Sequence, residues 1–285
     1  MDRRDFLKIS ALSALMLKST ELFPFRLKFD DETELVKKFI SELDYSKKSL
    51  SNSELVKYVG SRFIGTPYEA GTLDVNQEEQ LVIHISGLDC VTFVENVITF
   101  IKMIQSDEKD IRDYSAELMN IRYRDGKIED YTSRLHYFSD WIYDNEKKSI
   151  VVNITKDIGG ERYDKEINFM TTHKDAYPLL KNNTTYVEKL KAIEDEINTR
   201  KMYYIRKSKI NQYYEALETG DIFAVTTEIK GLDVTHTGYI YKKGDDAHII
   251  HASQKFGKVM ISDDTIKEYL SSIKKSTGVM IARLV

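Results

Sequence analysis

The sequence has few of the residues that cross-link, interrupt or anchor a chain. Its single cysteine in 285 residues excludes an internal disulfide. Its 3 prolines argue against long linkers, and the apolar run at positions 9–17 is too short to cross a bilayer. A net charge of -4 argues against a nucleic-acid or strongly anionic membrane partner. Hydrophobic residues make up 41% and charged residues 31%, which is typical of an ordered globular protein.

The start of the chain has a pattern of its own. Arg3 and Arg4 precede Phe6, and the apolar run 9–17 follows, which resembles a twin-arginine export signal. We therefore predict that residues 1–25 are an export signal, that the protein is periplasmic, and that residues 26–285 form one domain. The alternative is an amphipathic first helix, because no clear cleavage site is visible.

The stretch from Ser86 to Val94 carries the only cysteine, Cys90. Ser86 and Asp89 form a plausible capping pair, and the apolar residues that follow recur at intervals of three and four, which predicts a helix with Cys90 in its first turn. The free N–H groups and the dipole at a helix start favour a thiolate and can stabilise an oxyanion. Cys90 is therefore a candidate nucleophile, and the alternative is a small core residue. The apolar positions are Phe93, Val94, Val97, Ile98, Ile101 and Ile104.

A nucleophilic thiol needs a base, and a predicted β-meander near the C-terminus carries His236, His248 and His251. Its strands are predicted at 220–225, 235–241 and 247–252. Side chains alternate along a strand, so His248 and His251 face opposite ways. If the last two strands form a hairpin whose paired residue numbers sum to about 488, His251 falls near Thr237 and beside His236. We predict His236 as the base and His251 as its partner.

These segments, taken in order, resemble the NlpC-type papain-like cysteine hydrolases of bacterial cell-wall metabolism. That superfamily carries Asp-Cys, then His-x-Gly-Ile-Tyr, then a second His before Ala-Ser, as nucleophile, base and base-orienting residue. It also has a tyrosine upstream of the cysteine. The matching segments here are Leu88-Asp89-Cys90, Gly220-Asp221-Ile222, His236-Thr237-Gly238-Tyr239-Ile240-Tyr241, Ile250-His251-Ala252-Ser253 and Gly65-Thr66-Pro67-Tyr68.

Two departures from the superfamily pattern narrow the resemblance. Val91-Thr92-Phe93 replaces the usual Ser-Gly-Phe, and Glu69-Ala70-Gly71 replaces Trp-Gly-Gly. Together with a large insertion before His236, they are similar to one branch, the N-acetylmuramoyl-L-alanine amidase-like family, first catalogued as a domain of unknown function. The resemblance covers roughly residues 50–285.

This resemblance implies an α+β, papain-like fold in which N-terminal helices carrying Cys90 pack on an antiparallel sheet carrying His236 and His251. Residues 106–200 would be an elaboration of the substrate cleft. The implied reaction is hydrolysis of the amide between N-acetylmuramic acid and L-Ala of muropeptides, with a preference for small or anhydro-muropeptides. Alternatives are a γ-D-glutamyl-diamino acid endopeptidase and a non-catalytic wall-binding protein. We expect a monomer with no cofactor, no metal, no nucleic acid partner and no membrane span.

Four further residues are candidates for substrate or oxyanion contacts. Tyr68 could donate to the oxyanion or to a substrate carbonyl, although a buried Pro-Tyr corner is as plausible. Arg122, Arg134 and His136 lie in a block with the composition expected for binding a sugar-peptide ligand. His136 could instead be a satisfied polar group at the cleft edge. The neighbouring aromatic residues Tyr137, Phe138 and Trp141 are predicted to be the buried stripe of a helix.

Periodicity and turn signals predict the remaining elements. Helices are expected at 32–43, 51–63 and 187–199, with Ser51 or Ser53 capping the second. Strands are expected at 80–85, 118–128, 148–155 and near 166–170. His84 lies on the first of these strands, outside every motif, and is interpreted as structural.

Overall fold

A computed structural model describes residues 29–285, with side chains described from residue 31. The predicted export signal lies outside these residues. The longer helices in the first half of the described chain pack against one face of a sheet, and a short helix at Ile266–Ser272 packs against the other face. Within the described part of the chain no helix is long and apolar enough to cross a membrane. The longer helices are α1 (Phe29–Ser41), α2 (Asn52–Arg62), α3 (Cys90–Ser106), α4 (Ile111–Arg122) and α5 (Phe138–Lys147).

The sheet has eight strands, and every paired neighbour is antiparallel. Along the sheet the order is β2-β3-β8-β4-β5-β6-β7, with β1 also paired to β8. The strands β4 to β7 form the predicted meander extended by one strand. The bounds are β1 (Val151–Asn153), β2 (Glu161–Arg162), β3 (Tyr203–Arg206), β4 (Ile222–Thr227), β5 (Val234–Lys243), β6 (Asp246–Ser253), β7 (Lys258–Thr265) and β8 (Ser276–Leu284).

Helix α3 is the buried centre of the helical layer. It packs against α2, α4 and β5, and its predicted apolar stripe is buried along its whole length. Phe93 meets Tyr239 of β5 edge to face at 5.8 Å, and the Tyr239 hydroxyl donates to the carbonyl of Val94 at 2.8 Å. Each such aromatic or aliphatic side chain contributes about 1.5–3 kcal/mol by leaving water. The first turn of α3 is therefore held against the strand that carries His236.

The long segment before β4 builds a second, smaller core beside the sheet. It contains the short helices α6 (Phe169–Thr172) and α7 (Pro178–Lys181) and the longer α8 (Thr184–Thr199). These pack with a 3₁₀ turn at Tyr131–Ser133. The buried members of this core are Tyr131, Tyr137, Ile167, Phe169, Met170, Leu180, Leu190, Ile197 and Ile229.

Several predicted elements agree with the structure. The first two helices are present as α1 and α2, and Ser51 caps α2 in a capping box with Glu54. The helix predicted at 187–199 is α8, and the strand predicted at 148–155 is the shorter β1. The aromatic stripe before and within α5 is buried as predicted.

Three predicted strands are wrong. Residues 118–128 form the end of α4 and a turn, because Tyr114, Leu118 and Ile121 make a helical stripe that is fully buried. Residues 80–85 have no regular secondary structure and pair with no strand among the described residues. Side chains take the place of a sheet partner: Arg122 donates to the carbonyl of Val82 at 2.7 Å. The region near 166–170 holds the start of α6, since Ile167 and Phe169 are drawn into the second core.

Candidate active site

Cys90 is the first residue of α3, as predicted, but its cap differs from the prediction. Asp89 is the N-cap: its carboxylate accepts from the Thr92 N–H at 2.8 Å, and its own N–H donates to the Thr92 hydroxyl at 2.9 Å. The predicted Ser86–Asp89 pair is wrong, because the Ser86 hydroxyl donates to Glu32 instead. The reciprocal Asp89–Thr92 pair fixes the turn that presents the thiol.

The thiol is half-buried and faces several backbone donors. Burial and the charge of Asp89 raise the pKa of Cys90 to about 12, against the opposing effect of N–H groups of Thr237, Cys90 and Val91. The expectation that the helix start favours a resting thiolate is therefore wrong for this structure. Desolvation outweighs the donors, so Cys90 is a neutral thiol at pH 7.

His236 of β5 and His251 of β6 form a hydrogen-bonded pair. His236 Nε2 lies 2.7 Å from His251 Nδ1, and the rings are nearly perpendicular at a centroid distance of 4.9 Å. Burial lowers the pKa of His251 to about 4, and burial with the proximity of His251 lowers the pKa of His236 well below 6.5. Both rings are neutral at pH 7. His248 instead approaches the Ser262 carbonyl at 3.2 Å, so His251 is the partner, as predicted.

The strand register that brings the two rings together is one residue away from the predicted one. Tyr239 pairs with Ile250, which sets His251 beside Gly238 and not Thr237. Because side chains alternate, a one-residue slip reverses the face of every side chain, and the observed register puts His251 on the face of His236. Gly238 leaves the space, since a Cβ there would lie 2.8 Å from the Cβ of His251.

Tyr68 lies close to the thiol, and its backbone is bonded to two other segments of the chain. Its N–H donates to the carbonyl of Gly257 at 2.9 Å, and it forms a parallel bridge with Leu88. Burial, followed by the proximity of Cys90 and Asp89, raises the pKa of the Tyr68 phenol. The phenol is therefore a neutral O–H donor beside Cys90.

A cavity of about 310 Å³ opens beside Cys90 and His236. Arg134 and His136 line it, as do Tyr131 and other residues of the insertion. Arg134 donates to Asp74 at 2.5 Å and lies over the Tyr131 ring at 5.0 Å. His136 Nε2 lies 2.7 Å from the Tyr131 carbonyl, and burial together with the Arg134 charge lowers its pKa to about 3. A neutral His136 that donates through Nε2 keeps Nδ1 as an acceptor.

Arg122 also lines the cavity, but it makes two hydrogen bonds within the protein. It is buried, pairs with Glu95 at 2.7 Å and donates to the Val82 carbonyl at 2.7 Å. The contact of Arg122 with substrate stays a prediction. Its position in the cavity wall is the observation that supports it.

A family model and several solved structures each match most of the chain. Residues 58–279 match the family described as AmiA-like, N-acetylmuramoyl-L-alanine amidase-like. The chain belongs to this amidase-like family. A crystal structure of an N-acetylmuramoyl-L-alanine amidase from Bacteroides uniformis is 31% identical, with a TM-score of 0.77 over 82% of this chain and 98% of that one.

Two other solved structures share the fold. A Bacteroides fragilis protein named as a candidate xylanase is 35% identical, with a TM-score of 0.74 over 80% of this chain and 100% of that one. Protein LPG0564 of Legionella pneumophila is 21% identical, with a TM-score of 0.68 over 90% and 97% of the two chains, which concerns the fold alone. No curated protein matches the chain. Membership of the amidase-like family supports a hydrolase of peptidoglycan.

In this member of the amidase-like family, sequence reasoning missed Tyr269. It lies on the short helix α9 (Ile266–Ser272), which a Thr265–Glu268 capping box starts. Its ring lies 5.8 Å from the His236 ring and 5.1 Å from the His251 ring. Burial and the nearby thiol raise the pKa of its phenol. Tyr269 thus packs on both histidines, and no motif or periodicity around it signals this contact.

Proposed function

We propose that this protein is a cysteine amidase that hydrolyses the amide between N-acetylmuramic acid and L-Ala of muropeptides. The observation that carries the proposal is that Cys90, at a helix start, and His236 line one cavity, while His251 lies 2.7 Å from His236 Nε2. A thiol, a base and a residue that orients the base are the parts that nucleophilic acyl transfer requires.

The mechanism follows from the protonation states. His236 Nδ1 must be unprotonated to accept the thiol proton, so His236 Nε2 carries the hydrogen and donates to His251 Nδ1. As the proton moves to His236, the sulfur attacks the lactyl carbonyl carbon of the muramic acid. Since both resting groups are neutral, proton transfer and attack are coupled and no stable thiolate is needed.

The remaining steps use groups that already surround the sulfur. The backbone N–H of Cys90 and the Tyr68 phenol can donate to the oxyanion. The protonated His236 then gives its proton to the leaving amine of L-Ala, which breaks the C–N bond and leaves a thioester. Water, deprotonated by His236, cleaves the thioester and restores the thiol.

The cavity supports a small substrate. A volume of about 310 Å³ lies at the lower end of the range of ligand pockets, and much of its wall comes from the 106–200 elaboration. Arg134 can attract a carboxylate, His136 Nδ1 can accept from a hydroxyl or amide, and Tyr131 offers an aromatic face. These groups favour small or anhydro-muropeptides over intact wall.

The carboxylates around the cavity favour amide over glycoside hydrolysis. A glycosidase needs two available carboxyl groups on either side of the scissile bond. Here Asp89 caps α3, Glu95 pairs with Arg122, Asp74 accepts from Arg134, and Asp233 accepts from the Ser139 N–H. The endopeptidase and wall-binding alternatives are separated by experiment.

The proposal extends to the whole chain. We infer a papain-like, NlpC-type domain from 26 to 285 that acts as a monomer after export to the periplasm by residues 1–25. The order of the Cys90, His236 and His251 motifs supports the first inference, and the paired arginines support the second.

Mass spectrometry of a defined disaccharide-tetrapeptide incubated with the full chain tests the reaction. We expect release of the free disaccharide and of an intact peptide that begins with L-Ala, and no release with Cys90→Ala. Cleavage after D-Glu would instead establish the endopeptidase. A wild-type protein that cleaves neither small nor polymeric substrates, and whose Cys90 resists alkylation, would be a wall-binding protein. His248→Gln serves as the control, because His248 faces away from the site.

A further inference from the structure

His84 lies between two carboxylates from different segments of the chain. Its Nδ1 is 3.1 Å from Glu32 Oε1, and its Nε2 is 3.1 Å from Glu69 Oε2. Glu32 belongs to α1, and Glu69 follows Tyr68; these are the charged groups that face the ring. Only an imidazolium has N–H donors at both nitrogens, so a protonated ring could donate to both carboxylates at once. Burial lowers the pKa of His84, but the hydrogen bonds and charges of Glu32 and Glu69 raise it above 6.5 overall.

The Glu32 carboxylate is held by further hydrogen bonds besides its contact with His84. Glu32 is 3% exposed, and it also accepts from the N–H groups of Ile85 at 2.8 Å and Ser86 at 3.3 Å. Burial raises its pKa, yet the hydrogen bonds from His84, Ser86 and Ile85 lower it to about 2. A neutral His84 would therefore keep its one N–H on Glu32, where the charge is fixed and desolvated.

The contact with Glu69 depends on the second proton. The side chain of Glu69 is 50% exposed, and His84 is the hydrogen-bond partner that the described residues give its carboxylate. Gly87 makes room for it, since a Cβ there would lie 2.5 Å from Glu69 Oε2. The Glu69 N–H donates to the carbonyl of Leu88 at 3.1 Å, two residues before the nucleophile. Glu69 is thus the point where His84 can hold the Tyr68 segment against the nucleophile turn.

We propose that protonated His84 is a positioning residue that ties Glu69, and with it Tyr68, to the turn that presents Cys90. When pH rises and His84 loses its second proton, the bare Nε2 faces the Glu69 carboxylate and the tie opens. Tyr68 then loses one of the contacts that hold it beside the thiol. This inference rests on the proposed amidase function, and it predicts an alkaline decline of activity that is caused by a residue outside the catalytic cavity.

Substitutions at Glu69 distinguish the hydrogen bond between His84 and Glu69 from the negative charge of Glu69. In Glu69→Gln the amide can donate to the bare Nε2 of neutral His84, so the tie survives deprotonation and the alkaline limb of kcat should shift upward by about one pH unit or more. In Glu69→Ala the tie is lost at every pH, and kcat should fall about 5- to 10-fold with KM within about twofold. Glu78→Gln makes the same charge change on the same exposed segment and should leave the profile unchanged.

A titration that needs no activity completes the test. In the full chain with Cys90→Ala, NMR of the His84 ring nitrogens should show both protonated at pH 6 and a midpoint above 6.5, and Glu69→Ala should lower that midpoint. A midpoint at or below 6.5, or a Glu69→Gln profile identical to wild type, would overturn the inference. If the wild-type protein cleaves no muropeptide, the proposed function fails, while the titration still decides whether His84 binds Glu69 as an imidazolium.

Discussion

Two groups of histidines near Cys90 have their pKa values shifted in opposite directions. His236 and His251 are buried against each other, the residues that the structure describes give neither ring a carboxylate partner, and burial lowers both pKa values. His84 is also partly buried, but two carboxylates reverse the effect and raise its pKa. Desolvation opposes the charged ring in both places, so the chemistry of the partner decides the outcome. A neutral ring can accept a proton from a thiol, whereas a charged ring between two anions can hold segments together.

The largest expected effect comes from removing His236, the proposed base. His236→Gln should lower kcat/KM about 10³-fold or more, because an amide cannot accept and return the thiol proton. The same substitution at His248, one strand away and facing Ser262, should change the rate less than about twofold. Steady-state kinetics on the disaccharide-tetrapeptide measures both. Comparable losses in the two variants would mean that the effect is structural.

Giving the buried pair a carboxylate should make it resemble the His84 cluster. In wild type, the lowered pKa of His236 places the acid limb of kcat/KM below pH 6.5. His251→Asp puts an anion beside His236, which stabilises the imidazolium and should move the acid limb up by about one pH unit. Activity at acid pH would then fall about 10-fold relative to the optimum. An unchanged acid limb would show that another group sets it.

Substitutions at Tyr269 test whether the position of His236 and His251 also depends on packing against its ring. Tyr269→Leu removes the ring that contacts both histidines and should lower kcat about 5- to 10-fold, since small displacements of a base are costly. Tyr269→Phe keeps the ring and loses only the hydroxyl near the thiol. A smaller loss in Tyr269→Phe would assign the effect to the ring, and equal losses in the two variants would assign it to the hydroxyl.

The smallest expected effect is on stability, measured as the Tm of the Cys90→Ala protein against pH. Glu32, whose pKa falls from 4.5 to about 2, stabilises the fold above pH 4.5 and loses that contribution as pH falls toward 2. His84, whose pKa is raised, stabilises the fold below pH 6.5 and loses that contribution as pH rises through its folded pKa. The cluster is therefore strongest between pH 4.5 and 6.5. In His84→Asn the decline of Tm above pH 6.5 should be smaller; an unchanged slope would contradict this assignment.

Local sequence patterns were sufficient for the elements that carry the candidate catalytic groups. The helical stripe after Cys90 predicted α3, and alternation with turn signals predicted β4 to β6. Helix α3 buries one apolar stripe, whereas β4 to β6 are short apolar runs buried on both faces and bounded by turn residues. Both patterns can be seen in the residue order alone. The choice of His251 over His248 used this alternation together with a predicted register that is one residue away from the observed one.

Segments whose environment comes from distant residues were not predictable in this way. The 118–128 and 80–85 segments have strand-like composition, but packing on α3 makes the first helical, and side-chain donors replace a sheet partner in the second. The same applies to the caps, since Ser86 bonds to Glu32, which is 54 residues away in sequence. Propensity is a weak prior wherever such contacts compete.

The sequence by itself determined the amphipathic helix that starts at Cys90, the strands that carry His236 and His251, and the motif order. The tertiary structure decided the register of β5 against β6, the raised pKa of Cys90, the lowered pKa of His236 and the raised pKa of His84. The spacing of apolar residues along a segment depends only on the order of residues in the chain. A residue's pKa and the side chains it meets depend on desolvation and on charges that only folding brings within a few ångströms.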